Sequence, residues 1–185
     1  MIYYLSLGSN KGDKTANINK AIDFLRGIGD IEEVSSLYET EPVGMEAGAE
    51  NFYNLVLCMQ IPKSLSPFDL LRKIKEFERR MGRDINHSHY LPRTIDIDIL
   101  LAGDRVINTE ELVIPHQEMT KRAFVLIPLN EIAPELAHPL LKKPVKEILE
   151  QLPVKYKASL VKKVHAPPTG RRRHHAPGRI EPDKG

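Results

Sequence analysis

Residues 91–104 read LPRTIDIDILLAGD, and from Ile95 onward they alternate in the manner of a β-strand. Ile95, Ile97, Ile99 and Leu101 take one apolar face; Asp96, Asp98 and Leu100 take the other. Successive strand side chains point to opposite faces, so the two aspartates sit side by side, about 7 Å apart. Two anions held together in a partly buried place repel, and one takes up a proton unless a cation compensates. Hard divalent cations such as Mg²⁺ favour carboxylate oxygens and keep several waters. Two carboxylates at this spacing suit a pair of ions about 4 Å apart, as in two-metal phosphoryl chemistry. The pattern equally fits the solvated face of an edge strand, because D-x-D is short and common.

The chain around this strand has 185 residues, 41% of them hydrophobic, enough for one well-filled core and short for two. No apolar run approaches the roughly 20 residues needed to span a bilayer, so no membrane partner is expected. The opening MIYYLSLGSN lacks the basic start and long apolar stretch of a signal peptide and reads as a first strand. One cysteine, Cys58, excludes an internal disulfide, and a cytoplasmic location is expected. The net charge of +2 is uneven. Residues 166–185 hold Arg171, Arg172, Arg173, Arg179 and Lys184 against Glu181 and Asp183. That leaves 22 of the 27 basic and 23 of the 25 acidic residues in the body, which is therefore at −1. A body so weakly acidic gives no ground for a nucleic-acid partner.

Ile2 to Leu7 forms a buried strand, GSNKGDK a turn, and Ile18, Ala21, Ile22, Leu25 and Ile28 a helical stripe closed by Gly29. A strand over 31–39 leads into the loop TEPVGMEAGAE. Residues 52–61 alternate again, with Phe52, Asn54, Val56 and Cys58 on one face. Ser66-Pro67 starts a helix whose stripe is Leu70, Leu71, Ile74, Phe77 and Met81. Gly103-Asp104 reads as a tight hairpin turn into RVINTEELVIPH. Helices over about 120–129 and 144–152 complete an α+β pattern. From about Ala166 the Pro, Gly, Arg and His content predicts a disordered tail, 166–185, after a domain spanning 1–160.

Several other stretches have chemical potential. GSNKGDKT imitates a phosphate loop, but three residues rather than four separate its glycines and Asp13 intervenes before Lys14. A turn capped by Asp13 or Thr15 is the better reading. Phe52 and Asn54 share a strand face; a ring that stacks and an amide that reads hydrogen-bond edges suit a flat heterocycle, and a core position suits Phe52 equally. Phe124, in RAFVLIPL, has the same two readings. His116, Lys121 and Arg122 either face phosphates or lie on a solvated loop, the plainer alternative. His87 and His89 lack further zinc ligands nearby. The RRRHH run at 171–175 reads as solvated.

Taken together, these stretches resemble the 6-hydroxymethyl-7,8-dihydropterin pyrophosphokinase family. YLPRTIDIDILL looks like its signature, a Pro-Arg pair followed by D-x-D in an aliphatic strand. LSLGSNKGDK, YETEPVG, NFYNLV, EFERRMGR and VINTEELVIPHQEMTKRAFVLIPLNEIAPEL resemble its other segments in order, over Met1 to about Leu152. The resemblance implies a ferredoxin-like fold, a mostly antiparallel sheet flanked by helices in three α/β/α layers. It implies transfer of the β,γ-diphosphate of ATP to the pterin hydroxymethyl group, releasing AMP, in folate biosynthesis by a monomer. Carried over, Asp96 and Asp98 would bind two Mg²⁺ ions, and Asp98 would assist deprotonation of the hydroxymethyl group. Phe52 and Phe124 would sandwich the pterin, with Asn54, Thr40 and Val43 at its edge. Arg93, His116 and Arg122 would contact ATP phosphates, and Glu78 would lie near the adenosine. Loops at about 43–51 and 82–92 would act as lids.

The sequence also departs from the family. Ile85 and His89 stand where members carry arginines, Tyr90-Leu91 where they carry Trp-Gly, and Gln117 where an aromatic often follows the histidine. These changes fall on the ATP side. They predict rearranged nucleotide contacts, with Lys73, Lys75 or Arg83 substituting, and they motivate a second reading: a weakly active or inactive relative that only binds pterin or nucleotide.

Overall fold

The alternation after Ile95 forms a strand, β5 (Asp96–Ala102), which pairs antiparallel with β1 (Ile2–Ser9). The computed structural model describes residues 1–42, 50–82, 92–153 and 160–164. Along the chain, β1 is followed by α1 (Lys14–Arg26), β2 (Asp30–Val34), β3 (Leu37–Thr40), β4 (Phe52–Gln60) and α2 (Pro67–Arg80). After β5 come β6 (Ile107–Asn108), β7 (Val113–Ile114), a 3₁₀ turn (Met119–Lys121), α3 (Ala123–Ile132), α4 (Val145–Gln151) and β8 (Leu160–Val164). The main sheet runs β5-β1-β4-β3-β8, with β2 also on β4, and all its pairings are antiparallel. The fold is thus a mixed α/β arrangement built on an antiparallel sheet. No described helix is long and apolar enough to cross a membrane.

Both faces of the central strands are apolar, and each face feeds its own cluster. Leu5, Leu7, Leu55, Leu57, Ile97 and Ile99 pack with Ile18, Ile22 and Leu25 of α1 and Leu70 and Ile74 of α2. Tyr4, Val56 and Leu100 pack instead with Val125, Leu126 and Leu129 of α3 and Val145 and Ile148 of α4. Each such Leu or Ile, taken fully out of water, contributes about 1.5–3 kcal/mol. Phe24 and Phe77 join α1 to α2 as a stacked pair, 4.2 Å between centroids.

Local signals set the helix starts. Asp13 accepts from Ala16 N at 2.9 Å, and Ser66 Oγ accepts from Asp69 N at 3.1 Å ahead of Pro67. Gly103, at φ +54°, supplies the left-handed residue of the turn after β5.

Four expectations change. Leu101 does not share a face with Ile97. Tyr4 lies opposite Leu101 while Leu5 lies opposite Ile99, and this bulge turns Leu101 into the α3–α4 cluster. The single strand over 31–39 is two strands: Ser35 N still donates to Val56 O at 2.9 Å, but Val56 N donates to Ser35 Oγ at 3.0 Å instead of to a strand carbonyl, and Ser35 Oγ donates to Ser36 O at 2.9 Å. The turn at Gly103-Asp104 leads to β6, which pairs with β7. Beyond α4, where no element was expected, β8 pairs with β3.

Glu131 of α3 anchors this side of the sheet. Its carboxylate accepts from Ser36 N at 3.1 Å, Ser36 Oγ at 2.7 Å, Tyr38 Oη at 2.8 Å and Lys163 Nζ at 3.1 Å. Partial burial pushes its pKa up, but the bonds from Ser36, Tyr38 and Lys163 outweigh this and hold it below the usual range. A lowered folded-state pKa stabilises the protein at neutral pH, an effect lost as pH falls through that value. Glu131→Gln should therefore lower unfolding free energy by about 1–3 kcal/mol at pH 7. In urea melts the gap to wild type should close below about pH 4; a gap independent of pH would refute the assignment.

Candidate active site

One row of residues crosses the sheet: Asp96 on β5 lies opposite Gly8 on β1, Gly8 opposite Asn54 on β4, and Asn54 opposite Tyr38 on β3. One row over, Asp98 lies opposite Ser6. The period of two puts Asp96, Asp98, Gly8, Asn54 and Phe52 on the sheet face that also carries Val56 and Leu100. That is the face of α3, and the segment ahead of α3 brings His116 and Arg122 toward Asp98.

The two aspartates meet different basic partners. Arg93 Nη1 ion-pairs with Asp96 Oδ2. His116 Nε2 lies 3.9 Å from Asp98 Oδ2. Burial, then the Asp96 charge, push the Asp98 pKa above the ordinary carboxylate value, while His116, Lys75 and Arg122 pull against that rise. Burial likewise holds His116 below its usual value, against the pull of Asp98. His116 is positioned by its own backbone, donating N–H to Leu100 O at 2.9 Å, and its Nδ1 accepts from Glu118 N at 3.2 Å.

Beneath the pair lies a third carboxylate. Glu78 is fully buried; Oε1 accepts from Ile97 N at 2.8 Å and Oε2 from Lys75 Nζ at 2.9 Å. The residue expected near the adenosine thus grips the peptide between the two aspartates.

On the other side, Asn54 donates Nδ2–H to Thr40 Oγ1 at 2.7 Å, and Thr40 lies opposite Phe52. A Cβ on Gly8 would come within 2.8 Å of Asn54 Oδ1 and 3.8 Å of the Phe52 ring. Glycine is needed here for close approach of the amide. Arg122 stacks on Phe124, 5.7 Å from guanidinium carbon to ring centre. The structure therefore gathers Thr40, Phe52, Asn54, Arg93, Asp96, Asp98, His116, Arg122 and Phe124 around one sheet end. Val43 and Arg83, with most of both expected lid loops, His87, His89 and residues 166–185, lie outside the described residues. Sequence reading missed Gly8 as a residue of this row; its signal was the failed phosphate loop itself.

A model of the 7,8-dihydro-6-hydroxymethylpterin-pyrophosphokinase family matches residues 4–134. The chain belongs to this family. The 2-amino-4-hydroxy-6-hydroxymethyldihydropteridine pyrophosphokinase of Aquifex aeolicus is 46% identical over 144 residues, covering 78% of this chain and 88% of the relative. The Bacillus subtilis pyrophosphokinase is 41% identical over 137 residues, covering 73% of this chain and 80% of the relative. A solved Plasmodium falciparum HPPK-DHPS chain superimposes with a TM-score of 0.65 at 19% identity. It matches 81% of this chain, which spans only 45% of that longer one, and at this identity the likeness is one of fold.

Replacing Asp98 by Asn removes the one nearby pull that most favours protonated His116. The His116 titration midpoint, followed by NMR in metal-free protein, should move to lower pH than in wild type. An unchanged or higher midpoint would show that the 3.9 Å pair is not felt electrostatically.

Proposed function

We propose that this pyrophosphokinase family member transfers the β,γ-diphosphate of ATP to 6-hydroxymethyl-7,8-dihydropterin in folate biosynthesis. The hydroxymethyl oxygen forms a bond to the β-phosphorus, the bond from that phosphorus to the α–β bridging oxygen breaks, and AMP leaves. The observation that carries this is the Asp96–Asp98 pair, set between Phe52 and Asn54 two strands away and the basic side chains of Arg93 and His116.

The pterin would stack between Phe52 and Phe124, with Asn54, Thr40 and Val43 at its edge. Asn54 supports this by directing its Oδ1 over Gly8, because Thr40 already engages Nδ2. Arg93, His116 and Arg122 would contact ATP phosphates, with Arg83 beside them. The cationic side chains here are arranged to neutralise charge, which is most of what phosphoryl transfer asks of a protein. Asp98 would assist removal of the hydroxymethyl proton as a general base.

Among the described residues no group of three or more His, Cys, Asp or Glu could hold a metal. Two carboxylates and a triphosphate are nonetheless the donor set Mg²⁺ prefers, with water completing its shell. Asp96 and Asp98 would hold two ions, which when bound neutralise the triphosphate and orient its β-phosphate. Without them Arg93 is the countercharge of Asp96.

The same reading extends to the architecture. The two apolar clusters support a ferredoxin-like sheet with helices on both faces, as three α/β/α layers. A catalytic domain of residues 1–160, a separate basic tail over 166–185, a monomeric state and a cytoplasmic location complete it. Membership of the family, with both aspartates present, favours turnover over the binding-only alternative.

Incubated with ATP, Mg²⁺ and 6-hydroxymethyl-7,8-dihydropterin, the protein should yield AMP and the pterin diphosphate; ADP or no turnover would overturn the proposal. Asp96→Ala and Asp98→Ala should each cut kcat by at least about 10³-fold with melting unchanged. Gly8→Ala should weaken pterin binding by about tenfold, measured by calorimetry, because Asn54 must give way. Unaltered pterin affinity would separate Asn54 from the pocket.

A further inference from the structure

The turn between β1 and α1, residues 9–13, satisfies no nucleotide-loop pattern, yet three of its neighbouring polar side chains are buried. Ser9 is 0%, Asn10 1% and Asn17 7% exposed. Buried polar groups cost stability unless paired, so their partners matter. Ser9 Oγ donates to Thr94 O at 2.6 Å and accepts from Asn17 Nδ2 at 3.3 Å. Asn17 Nδ2 also donates to Lys11 O at 2.9 Å. Asn10 grips Arg93 twice: its Oδ1 accepts from Arg93 N at 2.6 Å, and its own N–H donates to Arg93 O at 3.0 Å. The remaining Asn10 donor, Nδ2, makes a long 3.5 Å bond to Glu50 O. Lys14 independently holds that neighbourhood, donating to Asn51 O at 3.1 Å.

The backbone of Arg93 and Thr94 is therefore held at three points by two consecutive residues of a distant turn. These are the residues directly before Ile95 and Asp96, and the Arg93 side chain is the ion-pair partner of Asp96. Without these bonds, three backbone bonds and a long side chain would be free to turn, and the Arg93–Asp96 geometry would scatter. We infer that Asn10 is a positioning residue. It fixes the Arg93 backbone so that the guanidinium and the Asp96 carboxylate face the Mg²⁺-nucleotide side together. This rests on the proposed function for which phosphate group Arg93 meets, and on the structure alone for the clamp.

The test compares Asn10→Ala with Asn10→Asp, which keeps an acceptor for Arg93 N but loses the donor toward Glu50. A net hydrogen bond is worth about 1 kcal/mol, or roughly five- to tenfold. In Asn10→Ala the Arg93 amide should exchange with solvent about tenfold faster, and the Kd for a Mg²⁺-bound non-hydrolysable ATP analogue should rise about tenfold. Pterin affinity should stay within about twofold, because Lys14 still holds Asn51. Asn10→Asp should keep the Arg93 protection and lie within about threefold of wild type for the nucleotide. An Asn10→Ala protein that is folded and binds the nucleotide normally overturns the inference. So does an equal loss of nucleotide and pterin affinity, or an Asn10→Asp protein as weak as Asn10→Ala. Should wild type bind nucleotide but form no AMP, the proposed function falls, while exchange and affinity still decide the clamp.

Discussion

Three carboxylates meet at three consecutive residues of one strand. Asp96 and Asp98 belong to β5, and Glu78 binds the peptide N–H between them. Like charges this close cannot all ionise in a low-dielectric setting without compensation. The surroundings supply a basic partner from a different element to each: Arg93 from the segment before the strand for Asp96, the Arg122 charge with the His116 imidazole from the segment before α3 for Asp98, and Lys75 from α2 for Glu78. The site can thus be assembled only after the sheet, α2 and the α3 lead-in have met. Its electrostatics are a consequence of tertiary structure and not of the D-x-D motif.

The two-sided sheet makes that meeting possible. The apolar face of β5 fastens to the α1–α2 cluster, while its aspartates emerge on the face of α3. The bulge that turns Leu101 into the α3 cluster gives β5 an extra apolar contact on the aspartate face, close to where His116 N–H binds Leu100 O. Packing on one face and polarity at one end of the other are therefore coupled along seven residues.

What the sequence disclosed follows from range. The alternation from Ile95 to Leu100, the Ser66-Pro67 start and the α1 stripe from Ile18 to Leu25 depend on neighbours within a turn or two and took the expected form, while Leu101 turned with the bulge and α1 closed at Gly27 rather than Gly29. The break between β2 and β3 depends on Ser35 meeting Val56, and β8 on finding β3, both long-range events with weak local signals. Asp96, Asp98, Asn54 and Phe52 could be singled out because alternation assigned them a face. The backbone contacts of Glu78 and Asn10 had no such signal, since nothing local tells that a helix carboxylate or a turn amide is buried against a backbone 19 or 83 residues away. For Glu78 the family likeness points to the adenosine, and the structure adds its bond to the strand.

The bonds to Ile97 N and Leu100 O have one more consequence. Among the described strands β5 ends the sheet, and its outer side would otherwise offer bare peptide groups to any passing strand. Glu78 occupies one of those donors and the His116 amide one of those acceptors. The carboxylate and the imidazole-bearing segment thus act as a selvedge. They stop this border from recruiting a strand of another molecule while holding the reactive carboxylates at the margin, where large substrates can reach them.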